Sequence, residues 1–284
     1  MSKSQSSSDD DAKKAAAYQA VADHLDSSYK FIGIGSGSTV VHVVQAIAAK
    51  GPAFASKMAF IPTGSQSKSL IKGAGLKLCP LDERPVGPDG TPVALDVAFD
   101  GADEVDDDLN CIKGGGACLF QEKLVAVAAS KFIVVADYRK FSSRLCTQWK
   151  TIPIEILPIA APDVLGRLKK LGCEKPTIRS GLPSKAGECV TDNGMWIIDA
   201  PFPPLLLPSD QNTSGVVDQD QTGRSSASPQ SEWEVGALAS ELLTIPGVVE
   251  IGLFHGRRVK VPEFSQKPLA VYFGLQDGTV MTKR

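Results

Sequence analysis

Two hydrophobic rhythms alternate along the first half of the chain. Short continuous apolar runs ending in glycine, proline or aspartate occur as FIGIG (residues 31–35), MAFIPTG (58–64), LDVAFDGAD (95–103) and KFIVVAD (131–137), the texture of buried strands. Between them, apolar residues recur at helical spacing in AKKAAAYQAVADHL (12–25), VVHVVQAIAAKG (40–51), SQSKSLIKGAG (65–75) and ACLFQEKLVAVAAS (117–130). The second and third of these run into glycine stops. The alternation predicts an α/β fold, a parallel sheet with helices on both faces.

After about residue 150 the rhythm changes. TIPIEILP, the helical DVLGRLKKLG and a hairpin in ECVTDNGMWIIDA, turning at Asn193-Gly194, are followed by helix and strand in WEVGALASELLTIPGVVEIGLF. The order β-α-β-β-α-β predicts a small α+β subdomain of the split-βαβ, ferredoxin-like kind. Prolines at 201, 203, 204 and 208 and a Ser/Asp/Gln-rich tract mark a mobile surface insertion at about 203–231. LAVYFGLQDGTVM then reads as a strand and turn that rejoin the first domain. The expected division is a disordered segment at 1–11, a sheet domain from 12–153 plus 255–284, and the subdomain at 154–254.

Composition narrows the function classes. A net charge of −2 over 284 residues gives no general pull toward nucleic acid or anionic membrane. No run approaches the roughly 18 apolar residues of a bilayer span. The Ser- and Asp-rich N-terminus lacks the apolar core of a secretory signal. Six scattered cysteines without a CxxC pair read as reduced thiols of a cytoplasmic protein, and three scattered histidines predict no metal site.

The chemistry is expected where strands run into helices, at the carboxyl edge of the sheet. GIGSGST (33–39) places glycines and the hydroxyls of Ser36, Ser38 and Thr39 at a helix start, suited to a phosphate. It lacks the third glycine of a dinucleotide fingerprint and the lysine of a Walker A loop. PTGSQS (62–67) reads equally as an ordinary N-cap or a ligand contact. DGADEVD (100–106) gathers Asp100, Asp103, Glu104 and Asp106, whose carboxylates suit sugar hydroxyls, proton transfer or a metal, or a solvated face. KGGGACLFQEK (113–123) offers Lys113, a possible anion nest of glycine amides, and Glu122 among apolar helix residues, which reads as a desolvated base or as a surface acid. Arg139 and Lys140 follow the fourth strand, and each reads as a solvated charge or as a phosphate contact.

At these residues the sequence resembles ribose-5-phosphate isomerase of the A type, in its eukaryotic form. The resemblance runs through GIGSGSTVVHVVQ, LDVAFDGADEVDDDLNCIKGGGACLFQEKLVA, SKFIVVADYRK, IPIEILP, VTDNGMWIID, IPGVVEIGLF and VYFGLQDGTV, in family order. It implies cofactor-independent interconversion of ribose 5-phosphate and ribulose 5-phosphate in the pentose phosphate pathway. It also implies a Rossmann-like domain with a smaller α+β subdomain, in homodimers or homotetramers. By position, the family's phosphate- and substrate-binding residues fall on Ser36, Gly37, Ser38, Thr39, on Asp100, Gly101, Ala102, Asp103, on Lys113, Gly114, Gly115, Gly116, and on Lys140. Its proton acceptor falls on Glu122. Many bacterial members carry Thr at the place of Ser36. Eukaryotic members usually read PTSFQ where Gly64 and Ser65 stand here.

The implied reaction moves a proton between C1 and C2 through an enediolate. Glu122 would shuttle it, Asp100 and Asp103 would assist ring opening, Lys113 with Gly114–Gly116 would stabilise charge on oxygen, and residues 36–39 with Lys140 would hold the phosphate. A non-catalytic sugar-phosphate sensor is the alternative. It would be expected to carry a DNA-binding helix-turn-helix before the sensor, whereas about 11 acidic and Ser-rich residues precede the first helix. A nicotinamide-dependent dehydrogenase would need an acidic residue after the second strand, where PTGSQ stands.

Overall fold

A computed structural model of the chain describes residues 3–210, 232–256 and 266–284, with side chains from residue 9 onward. In chain order the elements are α1 (Lys3–His24), β1 (Phe31–Ile34), α2 (Ser38–Ala49), α3 (Pro52–Ala55), β2 (Ala59–Pro62), α4 (Ser65–Gly73), β3 (Val97–Asp100), β4 (Glu104–Val105), β5 (Cys111–Ile112) and α5 (Leu119–Ala128). There follow β6 (Phe132–Asp137), β7 (Thr151–Ile156), α6 (Ala161–Lys170), β8 (Thr177–Ile178), β9 (Trp196–Pro201), α7 (Val235–Leu243), β10 (Val248–Ile251), β11 (Leu253–Phe254), β12 (Ala270–Gly274) and β13 (Val280–Lys283). All four predicted strands and all four predicted helices of the first half are present.

The chain divides into two units, one of residues 1–102, 121–141 and 257–284, the other of 103–120 and 142–256. The expected boundaries at 153/154 and 254/255 therefore shift, and Asp103–Phe120 belongs to the second unit.

The first unit is built on a six-stranded sheet in the order β13-β12-β6-β3-β1-β2, parallel except for the C-terminal hairpin strand β13. As the sequence predicted, the chain returns at its end to this sheet, β12 pairing parallel with β6. Alternation sorts the strands' side chains. Ile32, Ile34, Phe60, Phe99, Ile133 and Val135 join Val40, Val43 and Ile47 of α2 and Ala16, Ala17 and Ala20 of α1 in one core. One residue out of step, Gly33 faces the other way, where an added Cβ would lie 2.5 Å from Val125 of α5. Small residues let α1 approach closely: a Cβ on Gly274 of β12 would collide with the Ala12 carbonyl. The buried Tyr272 hydroxyl donates to Asp23 at 2.7 Å and lies 2.9 Å from His24 Nε2, pinning the end of α1 to β12.

The expected disorder of residues 1–11 is corrected from residue 3, where α1 begins; residues 1 and 2 lie outside the described residues. Composition suggested a solvated tract, but two of its acids have partners. Asp9 pairs with Arg139 at 2.7 Å and Asp10 with His42 at 3.0 Å.

The second unit shows a β-α-β-β-α-β order as β7-α6-β8-β9-α7-β10, folded into a sheet in the order β10-β7-β9-β8 with antiparallel neighbours. Its third element, however, is β8 at Thr177–Ile178, and the strand expected in ECVTD before the turn keeps only isolated bridges at Glu188 and Val190. Ile152, Ile154, Ile198 and Ile251 meet Val164 and Leu168 of α6 and Leu238 and Leu242 of α7 in its core. The Asn193-Gly194 turn is present, with Gly194 at φ 76° and Thr191 N–H donating to Met195 O. A small ladder, β11-β5-β4, is too short to have shown in any hydrophobic rhythm.

The mobile insertion needs correction at its start. Leu205 and Leu207 are buried, Leu206 N–H donates to Trp233 O at 2.8 Å, and Asp210 accepts from Arg144 Nε at 2.8 Å. The prolines punctuate this stretch, but the LLL run between them supplies core. The remainder of that expectation, 211–231, lies outside the described residues.

Candidate active site

In the first unit, strand register brings four loops to one edge of the sheet. Ile34 pairs with Pro62 and with Phe99, and Asp100 with Val134, so the segments after β1, β2, β3 and β6 leave the same edge. The loop after β1 is tied to β3 through Asp100, which is 2% exposed. Asp100 Oδ1 accepts from the N–H groups of Ser36 at 3.1 Å and Gly101 at 2.7 Å. Gly35 is required there, because any Cβ would enter the Asp100 side chain. Ser36 Oγ lies 2.9 Å from Thr63 Oγ1, and Gly37, at φ 104°, donates its N–H to Gln66 Oε1 at 2.8 Å. The PTGSQ loop thus braces the SGST loop, a role its altered residues do not disturb, because Thr63 and Gln66 carry the contacts.

Ser38 opens α2, where unsatisfied helix N–H groups favour an anion. Its Oγ accepts from Lys13 Nζ at 3.2 Å. Lys13 escaped the sequence reading, since a lysine on an alanine-rich helix looks like any solvated charge and its partner is 25 positions away. Lys140 sits half-buried on the 3₁₀ turn Tyr138–Lys140 after β6. Its neighbour Arg139 has its guanidinium committed, with Nε and Nη2 on Asp137 at 2.8 and 3.1 Å and Nη1 on Asp9 at 2.7 Å. Burial works to raise the Asp137 pKa, but the Arg139 bonds outweigh it and hold the carboxyl below its ordinary value. Of the two cations left open by the sequence, Arg139 is thereby structural.

Glu122 stands in the first turn of α5 and is 5% exposed, so the surface-acid reading does not hold. Its placement follows from the helix direction. Ala128 O, at the end of α5, accepts from Leu95 N–H ahead of β3, so the helix starts toward the opposite, carboxyl edge. Glu122 lies one turn before Val125 and shares its sheet-facing side.

In the second unit, Asp103 and the triple glycine are joined directly. Asp103 N–H donates to Ile112 O at 2.8 Å, and Gly115 N–H donates to Asp103 Oδ2 at 2.7 Å. One amide of the expected anion nest is thus taken by the chain's own carboxylate. Lys113 is 2% exposed, with Nζ 5.4 Å from the centre of the Phe254 ring. Arg179, unmarked in the sequence reading, donates from Nη1 to Gly114 O at 2.9 Å and Gly115 O at 3.2 Å. Its other edge forms two bonds to Asp199, at 2.6 and 2.9 Å. Burial opposes the Arg179 charge, but Asp199 outweighs that and raises its pKa.

The acids of DGADEVD separate by role. Asp100 and Asp103 take loop amides. Glu104 is fully buried and accepts from Ser142 Oγ, Cys146 N–H, Thr147 N–H, Thr147 Oγ1 and Gln148 N–H at 2.6–3.2 Å, holding the 142–148 segment. Asp106 closes a turn by accepting from Asp108 and Asn110, and burial pushes its pKa up to about 6. Asp107 and Asp108 are exposed. Among the described residues no group of three or more His, Cys, Asp or Glu could hold a metal ion, and no helix is long and apolar enough to cross a membrane.

The family model for ribose 5-phosphate isomerase A (phosphoriboisomerase A) matches residues 59–219. The chain is 44% identical over 275 residues to a ribose-5-phosphate isomerase of Mycosarcoma maydis, covering 96% of this chain and 80% of that protein. It is 43% identical over 274 residues to that of Schizosaccharomyces pombe, covering 96% and 83%. Among solved structures it is similar to ribose 5-phosphate isomerase A of Methanocaldococcus jannaschii, with TM-score 0.72, 30% identity and coverage of 96% and 98%. It is similar also to a D-ribose-5-phosphate isomerase in complex with phospho-erythronic acid, with TM-score 0.74, 31% identity and coverage of 96% and 97%.

Proposed function

Because the chain belongs to the ribose-5-phosphate isomerase A family, we propose that the residues placed above carry out the family's reaction, interconversion of ribose 5-phosphate and ribulose 5-phosphate. The chain is an aldose–ketose isomerase. The observation that carries this is similarity across 96% of its length to curated isomerases.

The chemistry assigns each residue a task. The phosphate is held by the hydroxyls and amides of Ser36–Thr39 and by Lys140, and Lys13, hydrogen-bonded to Ser38, adds a second cation. Asp100, oriented by two backbone amides, and Asp103, oriented by one, move protons in ring opening and hold sugar hydroxyls. Glu122 takes the proton from one carbon and returns it to the next, its burial keeping bulk water from exchanging it. Lys113 and the glycine turn stabilise negative charge on the sugar oxygen. Binding energy from the phosphate, remote from the reacting carbons, orients them.

The test is ketose formation from ribose 5-phosphate by purified protein, beside Glu122→Gln. The variant should lose at least about 10³-fold in kcat, toward the upper end of a general-base contribution, while KM stays near wild type. Near-normal turnover would remove Glu122 as the base. A cytoplasmic dimer or tetramer belongs to the same reading, supported by family membership and by cysteines free of disulfides among the described residues. Light scattering of the purified protein tests the assembly, and cell fractionation the location.

A further inference from the structure

The triple glycine poses a physical problem. Consecutive glycines have the widest backbone freedom of any residues, so such a turn is weakly constrained by its own residues. Gly114 sits at φ 106°, and a Cβ on Gly115 would lie 2.6 Å from Asp103 Oδ1, so side chains cannot be used to stiffen the turn at either position. The turn has one bond of its own, Ala117 N–H to Gly114 O at 3.0 Å, and the rest of its stiffness comes from outside, where Arg179 reaches both peptide units concerned.

We propose that Arg179, anchored by Asp199, is a positioning residue for the isomerisation: it fixes the direction of two consecutive peptide units so that Gly115 N–H orients Asp103 and Gly116 N–H is presented to the charge developing on the sugar oxygen. The inference rests on the roles given above to Asp103 and Gly114–Gly116.

In a trans peptide the C=O and the following N–H point in opposite directions. Arg179 Nη1 draws the Gly114 carbonyl to 2.9 Å, so the Gly115 N–H points away from the guanidinium, and it meets Asp103 Oδ2 at 2.7 Å. The same atom draws the Gly115 carbonyl to 3.2 Å, so the Gly116 N–H also points away from Arg179. A single cation thus aligns two dipoles with their positive ends outward, the arrangement that stabilises an oxyanion.

The anchor is equally defined. Asp199 lies on β9, directly opposite Thr177 of β8, and two bonds to Arg179 leave the guanidinium little rotational freedom. Arg179 N–H donates to Ile197 O at 2.7 Å, fixing the side chain's root on the same strand. Lysine could replace it only in part, because one ammonium lacks the fork that spans two carbonyls and a carboxylate.

The experiment compares wild type, Arg179→Met, Arg179→Lys, Asp199→Asn and Asp103→Asn. Each is assayed for kcat and KM with ribose 5-phosphate, for thermal unfolding, and for inhibition by inorganic phosphate and by phospho-erythronic acid. The latter's carboxylate places charge beside the reacting carbons. Arg179→Met should lower kcat about 10- to 100-fold, the scale of a misplaced catalytic donor, with KM within about twofold. Phospho-erythronic acid should weaken by a similar factor and inorganic phosphate should not, and Arg179→Lys should recover part of the loss.

A wild-type kcat in folded Arg179→Met would overturn the proposal, as would KM and phosphate inhibition worsening in step with kcat. Should Arg179→Met not fold, Asp199→Asn decides. It keeps the carbonyl contacts but frees the anchor, and is expected to lower kcat about 3- to 10-fold, short of the loss for a missing donor. An unchanged kcat there overturns the proposal too. Inactive wild type or a fully active Asp103→Asn would sink the underlying reading. Active wild type and impaired Asp103→Asn beside an unaffected Arg179→Met would sink this inference alone.

Discussion

Replacing Gly35 by alanine tests the link between backbone geometry and catalysis. The added Cβ would lie 2.6 Å from the Asp100 Cβ and closer still to its carboxylate. Asp100 cannot step aside cheaply, being 2% exposed and holding the N–H groups of Ser36 and Gly101. Crowding a packed site costs about 1–3 kcal/mol. Losing a hydrogen bond to a charged group costs about 1.5–3 kcal/mol, so expelling the carboxylate brings the total to roughly 2.5–6 kcal/mol. At about 2–4 °C per kcal/mol for a protein of this size class, Tm should fall by roughly 5–25 °C. A carboxylate displaced by about 1 Å should cost on the order of 100-fold in kcat. Gly73→Ala supplies the baseline. Its Cβ meets nothing within 4 Å and it sits in α4, so the same added methyl should be neutral or stabilise by up to about 1 kcal/mol. Melting curves and turnover of ribose 5-phosphate measure both. Wild-type Tm and kcat in Gly35→Ala would refute the reasoning that Asp100 is held by the absence of a side chain opposite it.

Three further outcomes are expected. Leu205→Ala should destabilise by about 2–5 kcal/mol in denaturant titration, and a loss under about 1 kcal/mol would mean that this stretch is not core. Burial first, then the Lys131 charge, lowers the His24 pKa, so the unfolded chain binds the proton more readily. Stability should therefore fall as pH drops through about 6.5, and His24→Gln should flatten that part of a Tm-versus-pH profile; an unchanged slope refutes it. Glu104→Gln should destabilise by about 1–3 kcal/mol through at least one buried donor left unmatched, with activity per folded molecule close to wild type. A selective loss of kcat in fully folded protein would show that Glu104 takes part in the chemistry.

The sheet was legible because parallel strands buried on both faces are continuous apolar runs that stop at the loops which matter. FIGIG and LDVAFD end on the very residues, Gly35 and Asp100, that lock together in space. The β-α-β-β-α-β order survived for a similar reason, with β7 and β9 each six residues long. What failed to show was either too short or too distant. β4, β5 and β11 have two residues each, a single period of strand alternation and too little to repeat. Lys13 and Arg179 are ordinary charges in sequence, and only folding brings them to Ser38 and to Gly114. Composition misled twice, at the acidic start of α1 and at the proline-bounded leucines 205–207, where tertiary partners overrode the local signal.

Glu104 sits inside a five-residue signature, one position from an acid assigned to catalysis, yet every contact it makes serves architecture. Adjacent letters of the motif can therefore be retained for unrelated reasons, one for turnover and one for the shape of a distant segment. Scanning DGADE by activity in crude extract would merge them into a single dead phenotype. Only rates normalised to the folded fraction can tell an enzyme that has lost its chemistry from one that has lost its keystone.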